Sequence, residues 1–135
     1  GKVKKTILCI ILSASTALSS VAFAQSTENK YTTIYNQCTS SKDMNNGVVY
    51  ECANLASDAA KKEIERLYFA MHSYLLTEDV DNALKLETSQ KAWLEYRDTH
   101  CELMGSYVGS PSLDICNMAL NGARVEELQE MLGDN

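Results

Sequence analysis

The feature that most constrains the fold is the stretch from Val48 to Leu76, which contains neither proline nor glycine. Its apolar residues recur at spacings of three and four, the period at which side chains share one face of an α-helix. They are Val49, Cys52, Ala53, Ala56, Ala60, Ile64, Leu67, Met71, Tyr74 and Leu75. The pattern predicts one long amphipathic helix, and the small residues of its first half allow a neighbouring helix to approach closely.

A shorter helix is predicted before this one. The segment Tyr31–Cys38 has apolar or half-apolar residues at i, i+3, i+4 and i+7, which is a single helical face, and Thr27 is the expected cap. The segment Thr39–Gly47 is polar and ends in Asn-Gly, a composition typical of a loop. The loop therefore separates the short helix from the long one.

Two further helices are predicted after the long one. The capping residues of Thr77–Asp81 start a second long helix that runs to about Met104. The segment Gly105–Pro111 reads as a turn, and its final Ser-Pro pair has the form of an N-cap followed by proline at the first helical position. The last helix then runs to Gly133, with Gly122 at a helical position that alanine would favour.

The predicted fold class is therefore all-α. We expect a small helical bundle in which two long helices pair antiparallel, with a short helix before them and another after them. No alternating strand pattern is present after the first 24 residues.

The first 24 residues have the pattern of a secretory signal peptide. Three lysines fall within the first five residues, an apolar run begins at Ile7, and Ala22-Phe23-Ala24 resembles a cleavage site. We expect cleavage near Ala24/Gln25, leaving residues 25–135 as a single domain without a stable membrane span. The predicted location is the periplasm or the extracellular space.

Four cysteines follow the predicted cleavage site: Cys38, Cys52, Cys101 and Cys116. An even number in an exported domain indicates two disulfides. Three pairings are possible, and we favour Cys38–Cys52 and Cys101–Cys116, because each would join residues that flank a loop between helices. We expect one bridge at each end of the helical pair. The spacing lacks the close cysteine pairs of structural zinc sites, so no metal is predicted.

The segment Gln90–Cys101 holds the only tryptophan. On a helix, Trp93 lies one turn from Arg97, and Arg97 lies one turn from Cys101. An indole beside a guanidinium can stack, which contributes about 0.5–2 kcal/mol. The simplest interpretation is structural: Trp93 and Cys101 lie in the core, and Arg97 is a partly buried cation that pairs with a carboxylate such as Asp58 or Asp98.

This segment, together with Cys116 and Arg124, resembles the LprI-like domain family, small secreted helical domains named after a bacterial lysozyme inhibitor. The resemblance is most specific between Leu86 and Leu132 and looser upstream. Ile64-Glu65 stands where many members have Leu-Asn, and Lys61 where many have an acidic residue. The residues that match the family motif are Trp93, Tyr96, Arg97, Asp98 and Arg124. The resemblance implies a helical fold and inhibition of a lysozyme.

No catalytic constellation accompanies this motif. The chain has two histidines, His72 and His100, on different predicted helices, and it contains no G-x-S-x-G, H-E-x-x-H or phosphate-binding glycine loop. A cysteine committed to a disulfide is not a nucleophile. We predict that the protein is not an enzyme and needs no cofactor. With 18 acidic and 12 basic residues, it also lacks the basic footprint of a nucleic-acid-binding protein.

The turn after the second long helix is the predicted partner-binding site. It is small, it is held at its base by the proposed Cys101–Cys116 bridge, and its central tyrosine is of a type enriched at binding hot spots. The candidate residues are Ser106, Tyr107, Val108 and Ser110. An ordinary helix connector would have a similar composition.

Together with the export signal, the cysteines and the lack of a catalytic constellation, the family resemblance implies an exported inhibitor that binds a peptidoglycan-degrading enzyme, either a lysozyme or a toxin of a competing bacterium against which it gives immunity. The alternative is a structural or adaptor protein of the bacterial envelope without inhibitory activity. An exposed, contiguous apolar face would be typical of the alternative.

Overall fold

The computed structural model describes residues 29–133. The predicted signal peptide and its cleavage site lie outside the described residues. Residues 29–133 form four α-helices and no strand, and two disulfides join them, which confirms the predicted fold class. The helices are α1 (Lys30–Thr39), α2 (Asn46–Glu78), α3 (Val80–Leu103) and α4 (Ser112–Leu132).

The short helix α1 begins later than predicted. Its cap is Asn29, whose side-chain oxygen accepts hydrogen bonds from the backbone N–H groups of Tyr31 and Thr32 at 3.1 and 2.9 Å. The predicted cap, Thr27, lies outside the described residues. Between α2 and α3 the break is a single residue, Asp79, whose side chain caps α3 by accepting from the N–H of Asn82. This tight connection makes α2 and α3 an antiparallel hairpin.

The packing of α2 against α4 is the most extensive in the bundle. The two helices run parallel, because Asn54 on α2 contacts Asp114 near the start of α4, and Ser57 contacts Asn121 further along. Small residues of α2 make this approach possible: Ala56 and Ala60 are completely buried. The core around them consists of Tyr31, Ala56, Ala60, Ile64, Leu67, Leu86, Val125 and Leu128.

Both predicted disulfides are present, but they lie at the same end of the bundle. Cys38–Cys52 ties α1 to α2, and Cys101–Cys116 ties α3 to α4. The prediction of one bridge at each end was wrong, because α4 returns alongside α2 in the same direction and brings Cys116 to the level of Cys52. We call this end of the bundle the disulfide end, and the opposite end, where α2 meets α3 at Asp79, the hairpin end.

The segment predicted as a turn is partly helical. Met104–Val108 continues α3 as a π-helical turn, in which the N–H of Gly109 donates to the carbonyl oxygen of Met104 at 3.2 Å, five residues earlier. Gly109 then ends the turn with a φ of 107° and a ψ of 172°, a conformation essentially restricted to glycine. The cap of α4 is Pro111 rather than Ser110, and α4 begins at Ser112.

Gly122 is where α1 meets α4. A Cβ atom at this position would lie 3.0 Å from Asn29 Nδ2 and 3.4 Å from Tyr31 Cδ2. We predict that Gly122→Val lowers the free energy of unfolding by about 2 kcal/mol, because the larger side chain displaces the cap of α1 and overpacks the contact. The matched control is Ala123→Val at the exposed neighbouring position, with an expected loss below about 1 kcal/mol. Equal losses in urea denaturation would contradict this account of Gly122.

The two bridges restrain the unfolded chain. Cys101 and Cys116 are separated by 15 residues, and a loop of this length corresponds to about 3 kcal/mol of stability. We predict that the double variant Cys101→Ser/Cys116→Ser loses about this amount while keeping its helical content, because α4 still packs on α2. Urea denaturation followed by circular dichroism measures both quantities. A variant without helix at 25 °C would show instead that the bridge is needed for folding.

Candidate partner-binding site

A series of hydrogen-bonded polar side chains connects α2, α3 and α4. The side-chain amide of Asn121 donates to Ser57 Oγ at 2.8 Å, and Arg97 Nη1 donates to Asn121 Oδ1 at 3.1 Å. Asn121 is completely buried; its bond to Ser57 is buried and its bond from Arg97 is partly buried. Arg97 also donates through Nε and Nη2 to Asp98 Oδ1 at 2.9 and 2.7 Å. One guanidinium therefore joins α3 to α4 and keeps a carboxylate partner of its own.

Arg124 makes the second connection. Its Nε and Nη2 donate to Gln90 Oε1 at 3.1 and 2.9 Å, and its Nη1 donates to Glu127 at 2.8 Å. The indole of Trp93 contacts both arginines, with guanidinium carbons 5.3 Å (Arg97) and 5.5 Å (Arg124) from the ring centroid. These contacts describe a structural unit that fixes α3 against α4.

The motif residues are not all brought together. Tyr96 is 53% exposed and stacks on His100, with ring centroids 5.2 Å apart, on the outer side of α3. Asp58 pairs with Lys61 at 3.7 Å rather than with an arginine of the motif. Trp93 and Tyr96 are three residues apart and lie close together on the surface of α3. The sequence motif alone therefore does not show that Trp93 is partly covered by other helices while Tyr96 is exposed.

The π-helical turn carries the most exposed aromatic side chain of the described residues. Tyr107 is 87% exposed, and Val108 beside it is 62% exposed. The Cys101–Cys116 bridge holds the base of the turn, so these apolar side chains project from an anchored segment. Of the two predicted serines, Ser106 donates its hydroxyl to the carbonyl oxygen of Leu103 at 3.3 Å, and Ser110 lies on the wall of a neighbouring hollow.

One hollow borders the turn, and a second lies along the end of α3 that precedes it. One is lined by Tyr50, Glu102, Ser106, Ser110 and other residues, and the second includes Glu95, Tyr96, His100 and Leu103. Tyr50 and Leu103 were not among the predicted site residues, although both are more than half exposed. We call the following set the tip surface: Tyr50, Glu102, Leu103, Ser106, Tyr107, Val108 and Ser110. Sequence periodicity gave no signal for Tyr50, which comes from the start of α2.

The tip surface is apolar with acidic edges. Glu95 and Glu102 border the two hollows, and neither has an ion-pair partner within residues 29–133. Asp114 is buried beside them and accepts a hydrogen bond from the amide of Asn54 at 3.1 Å. Lys42, in the loop before α2, forms an ion pair with Glu51 at 2.9 Å. The surface therefore suits a partner with apolar and basic groups.

The two histidines lie far apart. His72 Nε2 is 2.7 Å from Glu87 Oε1 and joins α2 to α3 near the hairpin end, whereas His100 stacks on Tyr96 at the disulfide end. Within residues 29–133, no group of three or more histidine, cysteine, aspartate or glutamate side chains is arranged to hold a metal ion. None of the helices in that range is long and apolar enough to cross a membrane.

The sequence was compared with models of known protein families. The family model described as lysozyme inhibitor LprI matches residues 36–128, which include both disulfides, the Trp93–Arg97–Arg124 unit and the π-helical turn. The chain belongs to the LprI family. No curated protein and no solved structure is significantly similar to it. An LprI domain with two disulfides is consistent with an extracytoplasmic protein.

The LprI motif generates a stability prediction. Arg124→Ala leaves the buried Gln90 oxygen without a donor, removes the contact with Trp93 and creates a cavity, so we expect a loss of about 3 kcal/mol. The control is Arg66→Ala on the exposed face of α2, where loss of the pair with Glu63 should cost less than about 1 kcal/mol. Urea denaturation compares the two variants, and an equal cost would mean that the buried network adds nothing.

Proposed function

We propose that this LprI domain is an exported, non-enzymatic inhibitor that binds a peptidoglycan-degrading enzyme through its tip surface. The family model is the observation that carries the proposal, since it is defined by a lysozyme inhibitor and spans most of the chain. The contact residues proposed from the sequence are Ser106, Tyr107, Val108 and Ser110. Ser106, Tyr107 and Val108 lie on one anchored turn and Ser110 follows directly after it, and this supports the assignment.

The anchoring of the turn favours tight binding. Association costs free energy whenever a loop must be ordered at the interface, and a segment that is already fixed avoids most of that cost. Tyr107 offers a large amphipathic contact with few rotatable bonds, the kind of residue that dominates interface energetics. Its exposure of 87% means that most of its surface is free to be buried by a partner.

The charge of the chain supports a basic target. The chain has a net charge of −6, and the tip surface contains the unpaired carboxylate of Glu102 with Glu95 nearby, so it would attract a cationic enzyme, and lysozymes are often basic. Such charge complementarity raises the association rate. Salt screens the attraction, so the association rate falls as the ionic strength increases. Export is supported by the disulfides and by the leader-like pattern before Gln25.

The decisive experiment is an inhibition titration. The purified, oxidised protein is added to a panel of lysozymes and bacterial peptidoglycan hydrolases, and we expect one of them to lose activity with a one-to-one end point. Such an end point distinguishes inhibition from the alternative of an envelope adaptor, which would leave every hydrolase active. A panel that includes a toxin of a competing bacterium also separates immunity from inhibition of foreign lysozyme.

The tip surface is tested by a single substitution. We predict that Tyr107→Ala weakens inhibition at least ten-fold, about 1.4 kcal/mol or more, with the free energy of unfolding unchanged because the side chain is exposed. Tyr74→Ala is the matched control, since Tyr74 is 64% exposed and belongs to the hairpin end. If Tyr74→Ala weakens inhibition and Tyr107→Ala does not, the binding surface lies elsewhere.

A further inference from the structure

The hollow that borders the π-helical turn is lined by carboxylates and hydroxyl groups. Its volume is about 470 Å³, within the range of pockets that admit a small molecule or a long side chain. None of the described residues that line it is a lysine, an arginine or a histidine. We call this space the acidic hollow, and its lining consists of Tyr50, Glu102, Gly105, Ser106, Ser110, Leu113 and Asp114.

Asp114 has a carboxylate oxygen that the fold does not use. The residue is only 8% exposed, and its Oδ1 accepts a hydrogen bond from the side-chain amide of Asn54 at 3.1 Å. Its Oδ2 has no hydrogen-bond partner within residues 29–133, whereas every fully enclosed side-chain nitrogen or oxygen in that range has one. Oδ2 therefore reaches solvent, and the space that Asp114 lines is the acidic hollow.

The structural role of Asp114 accounts for one oxygen and leaves the other available. Asp114 lies in the first turn of α4, where the helix dipole stabilises a negative charge, and the bond from Asn54 attaches α4 to α2. Neither contact involves Oδ2. An ionised oxygen that is held in a largely buried position is a strong acceptor for a charged donor group.

A second carboxylate and an aromatic ring share the acidic hollow with Asp114. Glu102 is exposed and has no ion-pair partner in the described part of the chain. Tyr50 is 59% exposed, and the ring of a tyrosine attracts a cation placed over its face. The hydroxyl of Ser106 donates its hydrogen to the carbonyl oxygen of Leu103, so the lone pairs of its oxygen stay available to a donor.

This combination selects a positively charged hydrogen-bond donor. An anion would be repelled by the two carboxylates, and a neutral group would leave both without a counter-charge. A metal ion fits less well, because no three acidic, histidine or cysteine side chains converge within residues 29–133. A guanidinium or ammonium group satisfies both carboxylates and can also lie against Tyr50.

The surroundings of the acidic hollow favour a cation that projects from a protein surface. Ser106 and Ser110 belong both to the hollow and to the tip surface, and Tyr107 and Val108 lie between them in the chain. Tyr107 is 87% exposed. A partner that covers Tyr107 therefore brings its neighbouring side chains to the opening of the hollow.

We infer that the acidic hollow receives one arginine or lysine side chain of the target enzyme, with Asp114 and Glu102 as counter-ions and Tyr50 as an aromatic wall. The inference rests on the proposed function, which supplies the target, and it adds the residues that select a basic side chain. Asp114 was not among the predicted site residues, because its role depends on the packing of α4 against α2.

An NMR titration tests the hollow without any enzyme. N-acetyl-arginine amide and N-acetyl-lysine amide are added to the oxidised, isotope-labelled protein. We expect saturable shifts of backbone amide signals around Tyr50, Glu102 and Asp114, with a dissociation constant on the order of 10 mM for a ligand this small. The matched control is N-acetyl-citrulline amide, which has the shape of the arginine derivative without its charge and should bind at least about five-fold more weakly. The relative affinities of the two cationic derivatives distinguish arginine from lysine.

Asp114→Asn tests the buried carboxylate. The variant keeps an acceptor for Asn54 but loses the charge, so binding of N-acetyl-arginine amide should weaken at least about five-fold. Inhibition of the enzyme identified in the titration of hydrolases should weaken at least about ten-fold. The matched control is Asp81→Asn, because Asp81 lies in the first turn of α3 at the hairpin end and loses the same interaction with a helix dipole. It should leave both measurements unchanged.

Glu102→Gln provides a second variant whose fold is not at risk. Its side chain is exposed, so urea denaturation should show an unchanged free energy of unfolding. We expect inhibition and binding of N-acetyl-arginine amide each to weaken by about three- to ten-fold. This variant tests the inference even if Asp114→Asn is unstable.

Two results would overturn the inference. The first is a titration in which the citrulline derivative binds as well as the arginine derivative, or in which the shifts centre on residues outside the acidic hollow. The second is inhibition that is unchanged in both Asp114→Asn and Glu102→Gln, which would leave the proposed function intact. A panel without any inhibited hydrolase would contradict the proposed function instead, and the NMR titration would still measure the selectivity of the hollow.

Discussion

The position of α3 depends on the two arginines that contact Trp93. Few apolar side chains of α3 are fully buried, namely Ala83, Leu86 and Cys101, so hydrophobic burial alone specifies its placement weakly. Arg97 reaches Asn121 and Arg124 reaches Gln90, and both contacts have strict distance and direction requirements. Polar contacts of this kind determine a unique arrangement because the alternative leaves a buried donor or acceptor unsatisfied.

The helices could be predicted from the sequence because apolar periodicity reports local structure directly. The pairing of the cysteines was also predictable, since each pair flanks one loop. The direction of α4 relative to α2 was not, because it is set by contacts between residues about 60 positions apart, such as Asn54 with Asp114. The common end of the two bridges follows from that direction and was missed with it.

The partner-binding turn was located from composition, but its shape was not. Glycine and serine indicated a loop, whereas the π-helical turn forms because a backbone hydrogen bond to Met104 continues the helix past them. Tyr50 joined the surface from another helix, and no local pattern marks such a neighbour. Gly122 had no explanation in the sequence, and its reason is a tertiary contact with the cap residue of α1.

Both disulfides lie at one end of the bundle, so the two ends are restrained to different degrees. At the disulfide end, α1, α2, α3 and α4 are tied in pairs, while the hairpin end relies on packing and on the bond between His72 and Glu87. Local opening follows the weakest contacts, so we expect amide protons near Asp79 to exchange with solvent sooner than those near Cys52. The disulfides restrain one end of the bundle, so we expect the largest thermal fluctuations in the part of the hairpin that lies farthest from the tip surface.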